Sequence, residues 1–229
     1  MCFGKNLQFL RKMKGMTQEE LAAKLNVSRQ TISKWENDSA YPETETLIGL
    51  CALFSCSLDQ MLREDMNSLD EAYSEISTVT VEPMRYIRYA VISGDPEADA
   101  ITHVEGWAKR LNIENPLIIG WDFPNVSQEQ INVFNMHGYV AALVLEDGQD
   151  IGDIETEIIS QEKQKYITIT IKEPFDSPFT LIPNAYKTLM THMSMNGIKG
   201  KCASNIIPCY EKEYVADGVT YMDIFIAIE

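Results

Sequence analysis

The segment from residue 17 to residue 36 constrains this chain more than any other part, and it reads Thr-Gln-Glu-Glu-Leu-Ala-Ala-Lys-Leu-Asn-Val-Ser-Arg-Gln-Thr-Ile-Ser-Lys-Trp-Glu. Thr17 followed three residues later by Glu20 is the pattern of a capping box, which predicts the start of a helix. Asn26 tolerates the left-handed backbone conformation that a tight turn requires. Ser28 predicts the N-cap of a second helix. The segment therefore predicts two short helices joined by a tight turn.

The second of these helices is predicted to have one apolar side and one polar side. Ile32 and Trp35 point the same way, and we read them as core residues. The remaining side chains of the helix are polar and form hydrogen bonds readily. Two short helices with a polar second helix are what a helix-turn-helix needs in order to place side chains in the major groove of DNA.

The quoted residues resemble a known family. Thr-Gln-x-x-Leu-Ala followed by Val-Ser-x-x-x-Ile-Ser-x-Trp-Glu is similar to the Cro/cI-type (XRE) helix-turn-helix family of DNA-binding domains. The match extends over about residues 3–64. Because that family folds as five helices, the resemblance implies an all-α five-helix domain here.

Candidate DNA contacts follow from position on the second helix. Arg29 and Gln30 stand at its start, where base edges are reached; arginine and lysine pair with guanine, and glutamine pairs with adenine. In the family, the positions that match Arg29, Gln30 and Lys34 read bases. Gln18, Ser28 and Asn37 sit near helix ends and are better suited to phosphates. The alternative is a merely solvated helix face. The predicted DNA-binding residues are Gln18, Ser28, Arg29, Gln30, Ser33, Lys34 and Asn37.

The charge of the chain is distributed unevenly. The 229 residues carry a formal net charge of −15, yet residues 1–64 hold 8 basic and 8 acidic residues and are neutral. The remaining residues hold 11 basic and 26 acidic residues, so the whole excess lies there. An acidic surface repels phosphates, which confines predicted DNA binding to the N-terminal part. The same charge weakly favours a cationic small ligand for the rest of the chain.

Beyond residue 81 the order strand–helix–strand–strand occurs twice. This order predicts an α+β domain with duplicated modules, joined to the helical domain by a connector. We therefore predict a multidomain chain with a helix-turn-helix domain over 1–64, a linker over 65–80 and a ligand-binding domain over 81–229. The predicted elements are strands at 84–92, 117–121 and 139–145 with a helix at 96–111, then strands at 154–159, 166–172, 206–211 and 220–228 with a helix at 179–195.

The second part also resembles a family. Lys165-Tyr166-Ile167-Thr168, Pro208-Cys209-Tyr210-Glu211 and the closing run from Met222 to Ile228 are similar to segments of the gyrase-inhibitor-like (GyrI-like) effector-binding domains, which also occur in AraC-type regulators. Trp107 fits the tryptophan of the first helix in that family. Two positions depart from the pattern: the family glutamate is Asp223 here, and the family proline is Ala227. Ligand identity therefore does not carry over.

Alternation along the last strand places three side chains on one face. Tyr221, Asp223 and Phe225 point one way, opposite four apolar residues. Aromatic surfaces with one polar anchor make a ligand pocket, and an acid between rings suits a lipophilic cation. A solvated carboxylate beside exposed rings is the alternative. The family resemblance adds Trp121, Tyr139 and Tyr86 as ligand-binding candidates in the cleft between the repeats, and each is equally compatible with a core position.

The sequence predicts neither metal nor cofactor. The five cysteines form no CxxC and no cluster with histidine, which argues against a metal site and fits reduced thiols. No stretch approaches the ~20 apolar residues of a membrane span. The N-terminus has no signal-peptide layout. We expect a cytoplasmic protein without membrane contact.

Three functions remain open at this point. The first is a non-enzymatic transcriptional regulator that binds an operator in double-stranded DNA, acts as a homodimer, and senses a small-molecule effector such as a lipophilic or cationic aromatic compound. The second is a GyrI-like hydrolase with an appended DNA-binding domain, in which Asp223 or Glu211 is a general acid or base. The third, a DNA-binding antitoxin, leaves the duplicated sheet unexplained.

Overall fold

A computed structural model of the chain describes residues 3–63, 66, 72–123 and 125–229. The chain forms two compact units, each made of two separate segments. The N-terminal unit comprises Met1–Tyr73 and Tyr186–Lys199, and the C-terminal unit comprises Ser74–Ala185 and Gly200–Glu229. The domain boundaries predicted at residues 64 and 81 stay a prediction, because a compact unit is not necessarily a domain that folds independently.

The N-terminal unit begins with five helices, which confirms the predicted all-α five-helix domain. They are α1 (Phe3–Met13), α2 (Gln18–Leu25), α3 (Arg29–Glu36), α4 (Thr44–Leu53) and α5 (Leu58–Leu62).

Local sequence signals explain where these helices begin and end. Thr17 and Glu20 form the predicted capping box ahead of α2, and Asn26 ends that helix in the left-handed conformation with φ 54°. Ser28 caps α3 by accepting a hydrogen bond from the Thr31 backbone N–H at 3.1 Å. Each cap satisfies backbone groups that the helix leaves unpaired, so the turn between α2 and α3 is fixed.

One apolar cluster holds the five helices together, and Ile32 and Trp35 belong to it as predicted. Both side chains are buried on the inner side of α3. The cluster also includes Met195, which comes from the second segment of this unit. Its largest fully buried members are Phe3, Leu7, Leu10, Leu21, Ile32, Leu50, Phe54 and Met61.

The C-terminal unit is built on one antiparallel sheet of eight strands in the order β1-β6-β8-β7-β3-β4-β2-β5. A 3-10 turn, Pro174–Asp176, precedes α8. The residues of α8 from Tyr186 onward belong to the N-terminal unit. The elements are β1 (Ser77–Val81), β2 (Met84–Ser93), α6 (Pro96–Arg110), β3 (Ile118–Asp122), α7 (Gln128–Asn132), β4 (His137–Leu145), β5 (Ile159–Gln161), β6 (Gln164–Lys172), α8 (Pro178–Asn196), β7 (Cys209–Ala216) and β8 (Val219–Ala227).

The order β2-α6-β3-β4 returns as β6-α8-β7-β8, which confirms the duplicated α+β architecture. Four details differ from the sequence prediction. Of the strand predicted over 154–159, only Ile159 is in a strand, as the first residue of β5. Strand β7 begins at Cys209 and not at Ile206. The short helix α7 was not predicted. Strand β1 lies partly inside the predicted linker, where it pairs with β6; residues 65 and 67–71 of that linker lie outside the described part of the chain.

The two faces of the sheet carry different clusters. On one face, α6 covers strands β2, β3 and β4 through Ala100, Val104 and Trp107. On the opposite face, side chains of β2, β3, β6, β7 and β8 form a second cluster that includes Tyr166, Tyr210 and Phe225. Alternation along each strand separates the two sets, so the sheet offers two chemically distinct surfaces.

Candidate functional site

Helix α3 is held in place by a buried ion pair. Arg11 on α1 donates from Nε to Glu36 Oε1 at 2.5 Å and from Nη2 to Oε2 at 3.1 Å. The side chains of Arg11 and Glu36 are 10% and 1% exposed. Arg11 also donates to the Met16 carbonyl at 2.7 Å, so its guanidinium joins α1, the turn before α2 and the end of α3.

Gln18 belongs to the same network. Its Nε2 donates to Glu36 Oε2 at 2.9 Å, and the residue is half-buried at the first position of α2. The phosphate contact of Gln18 stays a prediction, and in the structure this hydrogen bond orients α2 relative to α3.

The outer side of α3 presents the other predicted DNA-binding residues. Arg29 pairs with Glu19 at 2.8 Å, and because the two side chains are 64% and 63% exposed, the pair is weak and Arg29 is available to another partner. Gln30 and Lys34 are exposed and Ser33 is half-buried. The exposed Asn37 is the C-cap of α3. Ser28 uses its hydroxyl in the N-cap and remains at the surface.

Tyr221, Asp223 and Phe225 lie on one face of β8, as predicted. Tyr221, Asp223 and Phe225 pair with Tyr214, Lys212 and Tyr210 across β7, and directly opposed residues share a face of the sheet. Two of the aromatic pairs are stacked: Tyr210 with Phe225 at 4.5 Å between ring centroids, and Tyr214 with Tyr221 at 5.5 Å. We call this surface the Asp223 face.

Asp223 lies half-buried between the two stacked pairs. Its Oδ1 accepts a hydrogen bond from Thr170 Oγ1 at 2.6 Å, and the Tyr214 hydroxyl lies 3.5 Å from the same oxygen. Lys212 stands opposite on β7, with its ammonium 5.7 Å from the centroid of the Tyr214 ring. Burial raises the pKa of Tyr214, and the charge of Asp223 raises it further, so the Tyr214 hydroxyl stays protonated and able to donate.

The structure brings two of the three remaining candidates to this side of the sheet. Tyr86 and Trp121 contact each other edge to face at 6.4 Å and belong to the cluster that contains Phe225. Tyr139 lies on the opposite face, in the cluster under α6. It therefore does not share a surface with Asp223.

Sequence reasoning gave no site role to three tyrosines: Tyr210 and Tyr214 of the Asp223 face, and Tyr166, which packs behind it. Tyr210 and Tyr214 alternate along β7 as the predicted residues do along β8, so the same period of two would have found them. Tyr166 is fully buried, and burial raises its pKa to about 12. Its hydroxyl donates to the Ile207 carbonyl at 2.9 Å and lies 3.2 Å from Gln161 Oε1.

Two further findings concern the described part of the chain alone. No group of three or more histidine, cysteine, aspartate or glutamate side chains there is arranged to hold a metal ion. No described helix combines the length and apolar character that crossing a membrane requires.

Comparison with known sequences bears on the N-terminal domain. A family model described as Helix-turn-helix (HTH_3) matches residues 7–61. The chain is 44% identical over 70 residues to the HTH-type transcriptional activator BcrR of Enterococcus faecalis, covering 30% of this chain and 34% of that protein. It is 40% identical over 65 residues to the HTH-type transcriptional regulator ImmR of Bacillus subtilis, covering 28% and 51%. The chain thus spans about a third to a half of these relatives, and residues 7–61 are an XRE-type helix-turn-helix domain, as predicted.

Comparison with solved structures extends over more of the chain at low identity. The EcmrR–DNA complex solved by cryo-electron microscopy is 14% identical with a TM-score of 0.49, covering 93% of this chain and 85% of that chain. The structure of SAV2435 bound to tetraphenylphosphonium is 13% identical with a TM-score of 0.41, covering 68% and 94%.

Proposed function

We propose that this chain is a DNA-binding transcriptional regulator whose C-terminal unit binds a small-molecule effector on the Asp223 face. The complete helix-turn-helix carries the proposal: the buried ion pair of Arg11 and Glu36 fixes α3, and the polar side of α3 is open to a partner. A neutral helix-turn-helix domain in a chain of net charge −15 also supports DNA contact at this domain alone.

The DNA partner in this proposal is an operator with two-fold symmetry, bound by a homodimer. One helix-turn-helix domain buries little DNA surface, and a dimer on half-sites about one helical turn apart is the usual solution. A footprint of the full chain tests this. Protection of two related half-sites supports the dimer, and protection of a single unrepeated half-site contradicts it.

Replacing Arg29 with alanine is expected to weaken operator binding by about 1–3 kcal/mol and to relax preference at one base pair, because arginine contacts guanine with two hydrogen bonds. Affinities for a set of single-base operator variants measure both effects. Lys24→Ala is the matched control, since Lys24 is an exposed cation on α2 and not on α3. Unchanged affinity and unchanged preference in the Arg29 variant would remove this residue from base reading.

The effector in this proposal is a lipophilic cation with aromatic character. The half-buried carboxylate of Asp223 lies between two stacked ring pairs, of which Tyr214 with Tyr221 is partly exposed and Tyr210 with Phe225 is buried. Rings beside a carboxylate favour a cation with aromatic character. The effector controls DNA binding to the extent that it binds one arrangement of the protein more tightly than another.

Replacing Asp223 with asparagine is expected to weaken binding of a lipophilic cation by about 2–5 kcal/mol, because the ligand charge loses its partner. Calorimetry with tetraphenylphosphonium and with a neutral aromatic compound of similar size measures the change. The carboxylate is ruled out as the anchor if wild type binds the neutral compound as tightly as the cation and if Asp223→Asn binds both with unchanged affinity. Breakdown of the compound during the titration would instead favour the hydrolase.

A further inference from the structure

A cavity lies on the face of the sheet opposite the Asp223 face, beneath α6. It has a volume of about 230 Å³ and is bounded by α6, β3, β4 and β7. Ile101 and Ile118 give it an apolar side, and Glu105, Glu211 and Glu213 give it an acidic side. We call it the helix-side cavity.

Tyr139 forms part of the wall of this cavity and is only 6% exposed. Its ring lies over Gly120 of β3, where a Cβ atom would overlap the tyrosine hydroxyl and would come within 2.6 Å of Cζ. A glycine at this point is therefore what admits the ring. Most of the Tyr139 side chain is buried, and its hydroxyl lies at the wall of the cavity. In the described part of the chain no group hydrogen-bonds to this hydroxyl, so it can accept a hydrogen bond from a molecule in the cavity.

Four carboxylates act on the Tyr139 hydroxyl. Burial raises the pKa of Tyr139 above its ordinary range, and the charges of Glu211, Glu97, Glu213 and Asp122 raise it further. Burial and then Asp122 and Asp95 raise the pKa of Glu97, while burial and then Glu97 raise the pKa of Glu213. Because three glutamates line the cavity, its wall carries negative charge.

The helix-side cavity is separate from the Asp223 face. Glu211 and Glu213 flank Lys212 along β7, and alternation sends them to the face opposite that of Lys212 and Asp223. Tyr139 belongs to the cluster under α6, not to the cluster that contains Phe225. A ligand in this cavity therefore uses different side chains from those of the proposed effector site.

We propose that the helix-side cavity binds a small aliphatic polyamine. Ammonium groups would pair with Glu211 and Glu213 and donate to the Tyr139 oxygen, while the methylene chain would lie against Ile101 and Ile118. Pockets for drug-sized molecules have volumes of about 300–1,000 Å³. The helix-side cavity is smaller, and this favours a thin flexible chain over a cation with several rings.

Calorimetric titration of the full chain with spermidine, at physiological salt, tests the proposal. Wild type is expected to show saturable binding at a single site. Tyr139→Phe removes only the hydroxyl, and Glu213→Gln removes one charge at the exposed rim of the cavity. Each substitution is expected to lower the affinity about tenfold or more, as loss of a hydrogen bond to a charged group does. Glu155→Gln, at an exposed position outside the cavity, is the matched control and should leave the affinity unchanged.

Any of the following three outcomes would overturn the proposal. Wild type that shows no saturation with spermidine in the millimolar range excludes a polyamine site. Equal affinities for wild type, Tyr139→Phe and Glu213→Gln place any bound spermidine elsewhere. Loss of spermidine binding in Asp223→Asn would move the site to the opposite face. Because Glu213 is exposed, its substitution still tests the site if Tyr139→Phe disturbs the fold. The measurements of operator binding and tetraphenylphosphonium binding test the proposed function, and their results do not depend on spermidine binding.

Discussion

Replacing Glu36 with alanine is expected to lower the free energy of unfolding of the N-terminal unit by about 3–5 kcal/mol. The substitution leaves the Arg11 guanidinium buried without its carboxylate, and an uncompensated buried charge is strongly destabilising. It also removes the acceptor of Gln18 Nε2. Hydrogen exchange of the α1–α3 amides measures the loss, with the amides of β2 and β4 in the other unit as the internal reference.

Two further variants separate the buried pair from charge in general. Glu19→Ala breaks the exposed pair with Arg29 and is expected to change stability by less than about 1 kcal/mol. Arg11→Met combined with Glu36→Leu removes both buried charges and is expected to recover much of the lost stability. If Glu36→Ala destabilises the unit no more than Glu19→Ala does, the buried pair does not hold α3.

Replacing Tyr166 with alanine is expected to lower the stability of the C-terminal unit by about 3–5 kcal/mol, as other buried aromatic truncations do. The ring is fully buried and contacts Tyr210 at 5.3 Å and Phe225 at 6.0 Å between centroids, so its loss leaves a cavity behind the Asp223 face. Hydrogen exchange of the β6 and β8 amides measures the effect.

The phenylalanine variant at the same position is the control. Tyr166→Phe keeps the ring and removes the hydroxyl that donates to the Ile207 carbonyl, which should cost about 1–3 kcal/mol because the buried acceptor loses its partner. Equal losses for the alanine and phenylalanine variants would show that the hydrogen bond, and not the ring, stabilises this cluster.

The helical domain was predictable from local signals because its boundaries are set locally. The capping boxes at Thr17 and Ser57 and the left-handed Asn26 act within a few residues, so the sequence alone contains them. Helix α7 escaped prediction although it also begins with a capping box at Ser127, because only five residues follow and none of them is buried. A helix without a buried stripe shows no apolar period to detect.

The candidate ligand sites were predictable only in part, for a different reason. Alternation assigns side chains within one strand to two faces, so Tyr221, Asp223 and Phe225 were placed together correctly. Alternation does not say which faces of different strands coincide, because that depends on register between distant segments. Tyr139 was therefore grouped with Trp121 from family likeness, and the structure puts them on opposite faces. The helix-side cavity arises where β3 meets β7, at the pairing of Gly120 with Glu211, and no local pattern indicates it.

The N-terminal unit has a consequence for the order in which the protein acquires structure during synthesis. Its two segments, Met1–Tyr73 and Tyr186–Lys199, have the whole of residues 74–185 between them. Met195, from the later segment, is 6% exposed within the apolar cluster of the five helices. Those helices leave the ribosome well before Met195 is made. A nascent or prematurely terminated chain therefore carries all five helices with part of their apolar surface uncovered, a state that chaperones and proteases recognise. Full stability of the N-terminal unit is then expected only in chains translated beyond its second segment, Tyr186–Lys199.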